Sequence, residues 1–244
     1  MERLDDVRRR FRHALLVGAL DPQWPDRLRS KADRVGVVDP ALMLAGRVGG
    51  IAASEADLPF EAGTFDLVVA AGTLDTADDL PRALLEFRRV LQPDGLLIGT
   101  VPAAGSLPRL RAAMLAGDEA SGGAAPRLHP GLDARTMGDL LLRAGYVLTV
   151  TDVDRVDVGY ASLLQLVKDL RAHGATNILA RRPRRTPHRA ALRAAERAFA
   201  AAGRDGRTYE HFELLHFSGW TLGPNQPQPA ARGSATTSLA EAFR

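Results

Sequence analysis

Short apolar runs alternate with amphipathic stretches through the first hundred residues of this chain. Residues 14–17, 34–38, 50–53, 65–71 and 96–101 are rich in β-branched and aliphatic side chains without the alternation of a half-solvated strand. Such runs read as strands covered on both faces. Between them the apolar residues recur at helical spacing over 25–32, 41–47 and 79–91, the last placing Leu80, Leu84, Phe87, Val90 and Leu91 on one stripe. Strands that alternate with helices predict an α/β fold with a doubly wound parallel sheet.

Residues 103–130 are rich in Gly, Ala, Ser and Pro, with only 107–115 helical in pattern, and read as a mobile connection across the top of the sheet. Beyond it the pattern predicts helices over 133–144, 162–173 and 187–202 and strands over 146–153 and 209–217. The last strand follows a helix through the short turn Gly203-Arg204-Asp205-Gly206, which suits an antiparallel strand at the sheet edge. One domain over residues 1–222 is expected. Residues 223–244 lack a sustained apolar period and read as a disordered tail.

With 244 residues, 45% of them hydrophobic, the chain can bury a full core. It has no cysteine, which excludes disulfides, thiolate metal sites and cysteine nucleophiles. Residues 1–13 are charged and lack the apolar core of a signal peptide, and no apolar run reaches membrane-spanning length. A cytoplasmic protein with no membrane partner is expected. The net charge is +3, yet the basic residues are scattered apart from Arg181, Arg182, Arg184 and Arg185, and aromatics make up only 5%. Nucleic acid is therefore not expected as a partner, and an ordinary solvated loop is the plainer account of that cluster.

In a doubly wound sheet, ligands bind outside the carboxyl ends of the strands near the point where strand order reverses. The first tip, Val17-Gly18-Ala19-Leu20-Asp21-Pro22, offers Gly18 for the tight turn a nucleotide-type cofactor needs, but Leu20 and Pro22 stand where further glycines would be expected. The second ends at Asp39, at the distance from Gly18 expected of an acid that accepts ribose hydroxyls; Asp39 also suits a cap on the helix beginning near Pro40. The third, Ser54-Glu55-Ala56-Asp57-Leu58-Pro59-Phe60, could set the Asp57 carboxylate against an adenine amino group with Leu58 on the ring, or be a plain acidic loop. The fourth strand ends at Ala70-Ala71-Gly72, small residues that leave room for a ligand or allow close packing.

Taken in order, Gly18, Asp39, Asp57-Leu58-Pro59-Phe60 and Arg89-Val90-Leu91-Gln92-Pro93-Asp94-Gly95 resemble the class I S-adenosylmethionine-dependent methyltransferases. The stretches Leu141-Leu142-Arg143-Ala144-Gly145-Tyr146, Val156-Asp157-Val158-Gly159-Tyr160 and 168–177 narrow the resemblance to the malonyl-carrier-protein methyltransferases of biotin synthesis and the related arginine hydroxylase of complex I assembly. The resemblance implies a Rossmann-like sheet of seven strands, S-adenosylmethionine as cofactor, Gly18, Asp39, Asp57, Leu58 and Ala71 around it, and a small-molecule or carrier-protein-bound acceptor.

There are departures as well. Leu16 stands where the family loop carries an acid, Leu20 and Pro22 replace glycines, and Asp75-Thr76-Ala77-Asp78-Asp79-Leu80-Pro81 replaces a His-Trp-Val-Asn-Asp-Leu-Pro run. Relatives also carry a helical segment before the first strand that helps cover the cofactor, where this sequence has about a dozen residues. A weakened cofactor loop is expected.

No other catalytic pattern competes: there is no phosphate-binding Gly-Lys-Ser/Thr loop, no Gly-x-Ser-x-Gly elbow and no His-Glu-x-x-His helix. His211 and His216 are an odd number of residues apart on one strand and so face opposite sides, which argues against a shared metal. His129 could be a general base in the flexible connection or an ordinary loop histidine, and Tyr160 and Asn177 could line the acceptor side or anchor the helix over 162–173. Two functions follow: a methyltransferase, and a catalytically inactive methyltransferase-like assembly or binding factor.

Overall fold

Each apolar run of the first hundred residues becomes a strand in the computed structural model, which describes residues 2–179, 181–184, 187–224 and 226. A short helix α1 (Glu2–Asp5) precedes β1 (Phe11–Val17), α2 (Trp24–Arg29), β2 (Ala32–Asp39), α3 (Leu42–Arg47), β3 (Ile51–Ala52), β4 (Phe65–Ala71), α4 (Leu80–Val90) and β5 (Leu91–Pro102). The second half supplies α5 (Pro108–Glu119), α6 (Ala134–Arg143), β6 (Tyr146–Tyr160), α7 (Leu163–Ala172), α8 (Arg189–Ala201) and β7 (Thr208–Thr221).

The seven strands form one sheet in the order β3-β2-β1-β4-β5-β7-β6. All neighbouring pairs from β3 to β5 are parallel, and β7 runs antiparallel to both β5 and β6. The antiparallel direction of β7 agrees with the sequence pattern. Its expected edge position does not, because β7 inserts between β5 and β6 and leaves β6 outermost. The strand expected over 146–153 also runs on to Tyr160, held by the ladder to β7 that ends at Tyr160 opposite Thr208.

Alternation along β1 shows why these runs are apolar throughout. Leu15 and Val17 join Val68, Leu84, Phe87 and Leu97 on the face covered by α4, while Ala14 and Leu16 join Leu28, Leu67 and Val69 on the other. The α4 stripe is fully used, and the helix starts where Asp79 accepts the Arg82 N–H at 3.0 Å. Asp133 and Ser162 cap α6 and α7 in the same way.

The connection after β5 is not the loose strap its composition predicts. Ala103 N–H donates to Glu213 O and Leu107 N–H to His211 O, both at 2.8 Å, so the chain is stitched along β7 before α5 begins. Glu210, fully buried on β7, then accepts the Arg109 N–H at 3.1 Å and the Leu110 N–H at 2.7 Å, satisfying the free donors at the start of α5. Further along, Asp118 holds Arg127 and the Ala125 N–H. Glu210→Gln turns one acceptor into a donor facing a buried N–H. The expected cost is about 1–3 kcal/mol of stability, read from urea unfolding, and an unchanged midpoint would refute this role. The tail expected to be disordered lies almost wholly outside the described residues.

Candidate cofactor site

Strand order reverses between β1 and β4, so the crevice at their carboxyl ends is where such a sheet takes a ligand. Gly18 sits there with φ +104° and donates its N–H to Val38 O at 2.8 Å. A Cβ at this position would collide with the Ala71 carbonyl oxygen and stand 3.3 Å from Thr73 Cγ2. The tips of β1, β2 and β4 therefore meet at a point that only glycine can occupy.

Asp39 closes β2 and is 2% exposed. Its Oδ2 accepts the Ala19 N–H at 2.7 Å and its Oδ1 the Ala41 N–H at 2.8 Å. The expected helix cap is thus displaced: α3 starts at Leu42 with Ala41 at the cap position and no side-chain cap, and Asp39 braces the turn before it. One carboxylate ties the loop after β1 to the loop after β2.

Asp57 is solvent-exposed on the loop after β3, as a ligand-facing acid would be. Leu58 is not placed as expected. It is 4% exposed and belongs to the core cluster of Leu84 and Phe87, so its side chain packs inward instead of standing open for an adenine ring. The loop is held in that position from α4: Leu58 N–H donates to Glu86 Oε2 at 3.2 Å, and Arg89 donates to the carbonyls of Leu58 and Phe60 at 3.0 and 2.8 Å. The Arg89 guanidinium also pairs with Glu86 at 2.8 Å and keeps that carboxyl below the usual carboxylate range. The sequence reading missed this clamp, although its i, i+3 spacing on α4 is a signal that was available.

At the tip of β4, Ala71 is half-buried and Thr73 is buried with no hydrogen-bond partner for its hydroxyl among the described residues. Asp75 follows, and burial pushes its carboxyl up against the smaller opposing pull of a hydrogen bond and of His129. Leu20 crosses this region: a Cβ at Gly72 would stand 3.6 Å from Leu20 Cδ2, and one at Gly174 3.4 Å from Leu20 Cδ1. The leucine that replaces a loop glycine therefore occupies the space between the β4 tip and the turn after α7.

The remaining candidates are structural in their contacts. Asn177 donates to the carbonyls of Pro126 and Arg127 at 2.9 and 3.1 Å, and His129 Nε2 accepts the Ile178 N–H at 3.1 Å, which uses the lone pair a general base would need. Tyr160 donates to Asp169 at 2.7 Å and anchors α7; burial, followed by the neighbouring carboxylate, pushes its phenol well up. A cavity of about 320 Å³ opens beside Ala71 and extends over β4 and β5 to Thr100 and His216. Gly18, Asp39, Asp57 and Leu58 do not line it.

A seven-stranded, mostly parallel sheet of this order, with a glycine turn after β1 and a buried acid ending β2, defines the chain as a class I S-adenosylmethionine-dependent methyltransferase fold. Residues 20–99 match the family model described as "Methyltransferase domain". The chain is 37% identical over 194 residues to the mitochondrial arginine-hydroxylase NDUFAF5 of Mus musculus, covering 78% of this chain and 56% of that protein. It is 35% identical over 178 residues to the malonyl-[acyl-carrier protein] O-methyltransferase of Halorhodospira halophila, covering 71% of this chain and 57% of that protein. The chain thus spans a little over half the length of these relatives. The YcgJ protein of Bacillus subtilis shares the fold with a TM-score of 0.62 at 11% identity, over 91% of this chain and 97% of that one.

S-adenosylmethionine is the cofactor of the family. The cradle at Gly18 and the unpartnered Thr73 hydroxyl fit such a group, and each Asp39 oxygen accepts one bond and keeps a lone pair. Leu20 packs between Gly72 and Gly174 at the edge of this crevice. Among the described residues no helix is long and apolar enough to cross a membrane.

Proposed function

We propose that this chain is an S-adenosylmethionine-dependent methyltransferase whose acceptor is a small molecule or a group borne on a carrier protein, and that it acts in the cytosol. The observation that carries this reading is the convergence at Gly18, where a Cβ-free turn brings the Asp39 carboxylate and the β4 tip together. Asp39 would hold the ribose and Asp57 the adenine amino group. The carrier-borne acceptor is supported by the name of the Halorhodospira relative. Calorimetric titration with S-adenosylmethionine and its demethylated product tests the proposal. If neither binds, the inactive assembly-factor reading replaces it.

In this proposal Leu20 must leave the space between Gly72 and Gly174 before the cofactor settles, so part of the binding free energy is consumed in moving it. A state populated only in part lowers apparent affinity by that fraction. Leu20→Ala should therefore tighten cofactor binding by roughly three- to tenfold, equivalent to about 0.7–1.4 kcal/mol. An unchanged or weaker dissociation constant would show that Leu20 does not compete with the cofactor.

A further inference from the structure

The two edges of the sheet are unlike each other. β3 is a strand of 2 residues, whereas β6, with 15, is the longest strand of the sheet and pairs only with β7 among the described residues. Proteins blunt an exposed edge against other chains with short strands, lysine, proline, bulges or unpaired charge. β6 carries no lysine and no proline, and its register shift is confined to the stretch between Val147 and Val150. Its four charged side chains are already held within the chain. Arg3 stands 2.6 Å from Asp152 and 3.1 Å from Asp154, Arg155 lies 3.1 Å from Glu213, and Asp157 lies 2.7 Å from His211.

The backbone at the middle of β6 faces outward. Val153 N–H donates to the Asp152 carboxylate at 2.8 Å, where a ladder donor would be spent on β7. Backbone groups alternate sides along an antiparallel strand, so Thr151 and Arg155 turn to the free edge with Val153. The strand is also a near-palindrome about this residue: Asp152 mirrors Asp154, Val150 mirrors Val156, Leu148 mirrors Val158 and Tyr146 mirrors Tyr160. A two-fold contact needs a surface that complements itself, and an antiparallel pair centred on Val153 supplies one.

We propose that β6 is the interface of a homodimer, in which two copies of the chain pair edge to edge about a two-fold axis at Val153. Each Val153 N–H exchanges its bond to Asp152 for the carbonyl of the other Val153. Val150 and Val156, 59% and 47% exposed in the single chain, then cover each other across the axis. The like-charged encounter that results, Asp152 opposite Asp154, brings one Arg3 from each chain with it. β7 runs antiparallel to both β5 and β6, so β6 runs with the parallel strands. The axis therefore sends the two cofactor crevices to opposite ends of one continuous sheet, where both stay open.

A single strand pair is smaller than a standard interface, so the association is expected to be weak and concentration-dependent. Sedimentation of the full chain from low to high micromolar concentration should show its mass rising from one chain to two. Val153→Pro removes an N–H that the ladder to β7 does not use, and Val156→Lys sets a charge opposite the apolar Val150 of the partner subunit. Each should weaken dimerisation roughly tenfold or more with little change in melting temperature. Should the proline variant unfold, the exposed Val156→Lys decides. The chain has no cysteine, so one introduced thiol reports proximity directly. Mild oxidation should link Val153→Cys into a covalent dimer, because residues facing each other in such a pair have Cα atoms about 5.5 Å apart, within disulfide reach. Ile51→Cys, on the opposite edge, should stay single. A chain that is monomeric at every concentration, a dimer that persists in Val156→Lys, or cross-linking as ready through Ile51→Cys as through Val153→Cys overturns the proposal.

Discussion

Gly18→Ala is expected to lower the melting temperature by roughly 10 °C and to abolish cofactor binding. The residue stands at φ +104°, where an L side chain is strained by about 1–3 kcal/mol, and its new methyl would overlap the Ala71 carbonyl. That contact is with backbone on β4, which cannot swing aside as a side chain would, so forced repacking adds about 1–3 kcal/mol more. For a chain of this size each kcal/mol shifts the transition by about 2–4 °C. Relief of the overlap would pull apart the tips of β1 and β4, the two elements that frame the crevice. Thermal unfolding with a parallel calorimetric titration checks both parts, and a melting point within about 2 °C of wild type would refute the argument.

Asp39→Ala carries the second large effect, and the structure raises its cost to stability. Read from the sequence, the residue caps a helix, a loss of typically about 1 kcal/mol. In the fold it is buried and accepts two backbone N–H groups, one of them on the buried Ala19. Leaving such a donor without a partner costs about 1–3 kcal/mol, and the more accessible Ala41 N–H adds a smaller amount. A total of about 2–4 kcal/mol is expected from urea unfolding. Cofactor affinity should fall on the order of tenfold to a hundredfold, since hydrogen bonds to a charged acceptor contribute about 1.5–3 kcal/mol. A variant as stable as wild type would contradict the bracing role, and an unchanged affinity would move the ribose away from Asp39.

Periodicity and local chemistry made much of the fold legible. The run at 65–71 is β4 to the residue, and the polar residues ahead of the apolar stripes, Asp79, Asp133 and Ser162, are the caps of α4, α6 and α7. Such signals are readable because helix and strand periods and capping bonds act within a few residues. The glycine turn at Gly18 was readable for the same reason.

Which faces meet was not readable. Leu58 looks like any loop leucine until the Glu86–Arg89 pair on α4 pins its backbone and turns it into the core. Leu20 was recognised as a misplaced residue, but its position between Gly72 and Gly174 depends on a turn from the other half of the chain. Thr100 and His216 stand 116 residues apart, and only the insertion of β7 between β5 and β6 sets them opposite each other. Strand order and register come from long-range burial and backbone pairing, and a one-residue slip would send every side chain of β7 to the other face. The chain's local pattern determined its elements and the tip of β1; the tertiary structure alone decided that the crevice is braced by Asp39, crossed by Leu20 and flanked by a cavity with a half-buried imidazole.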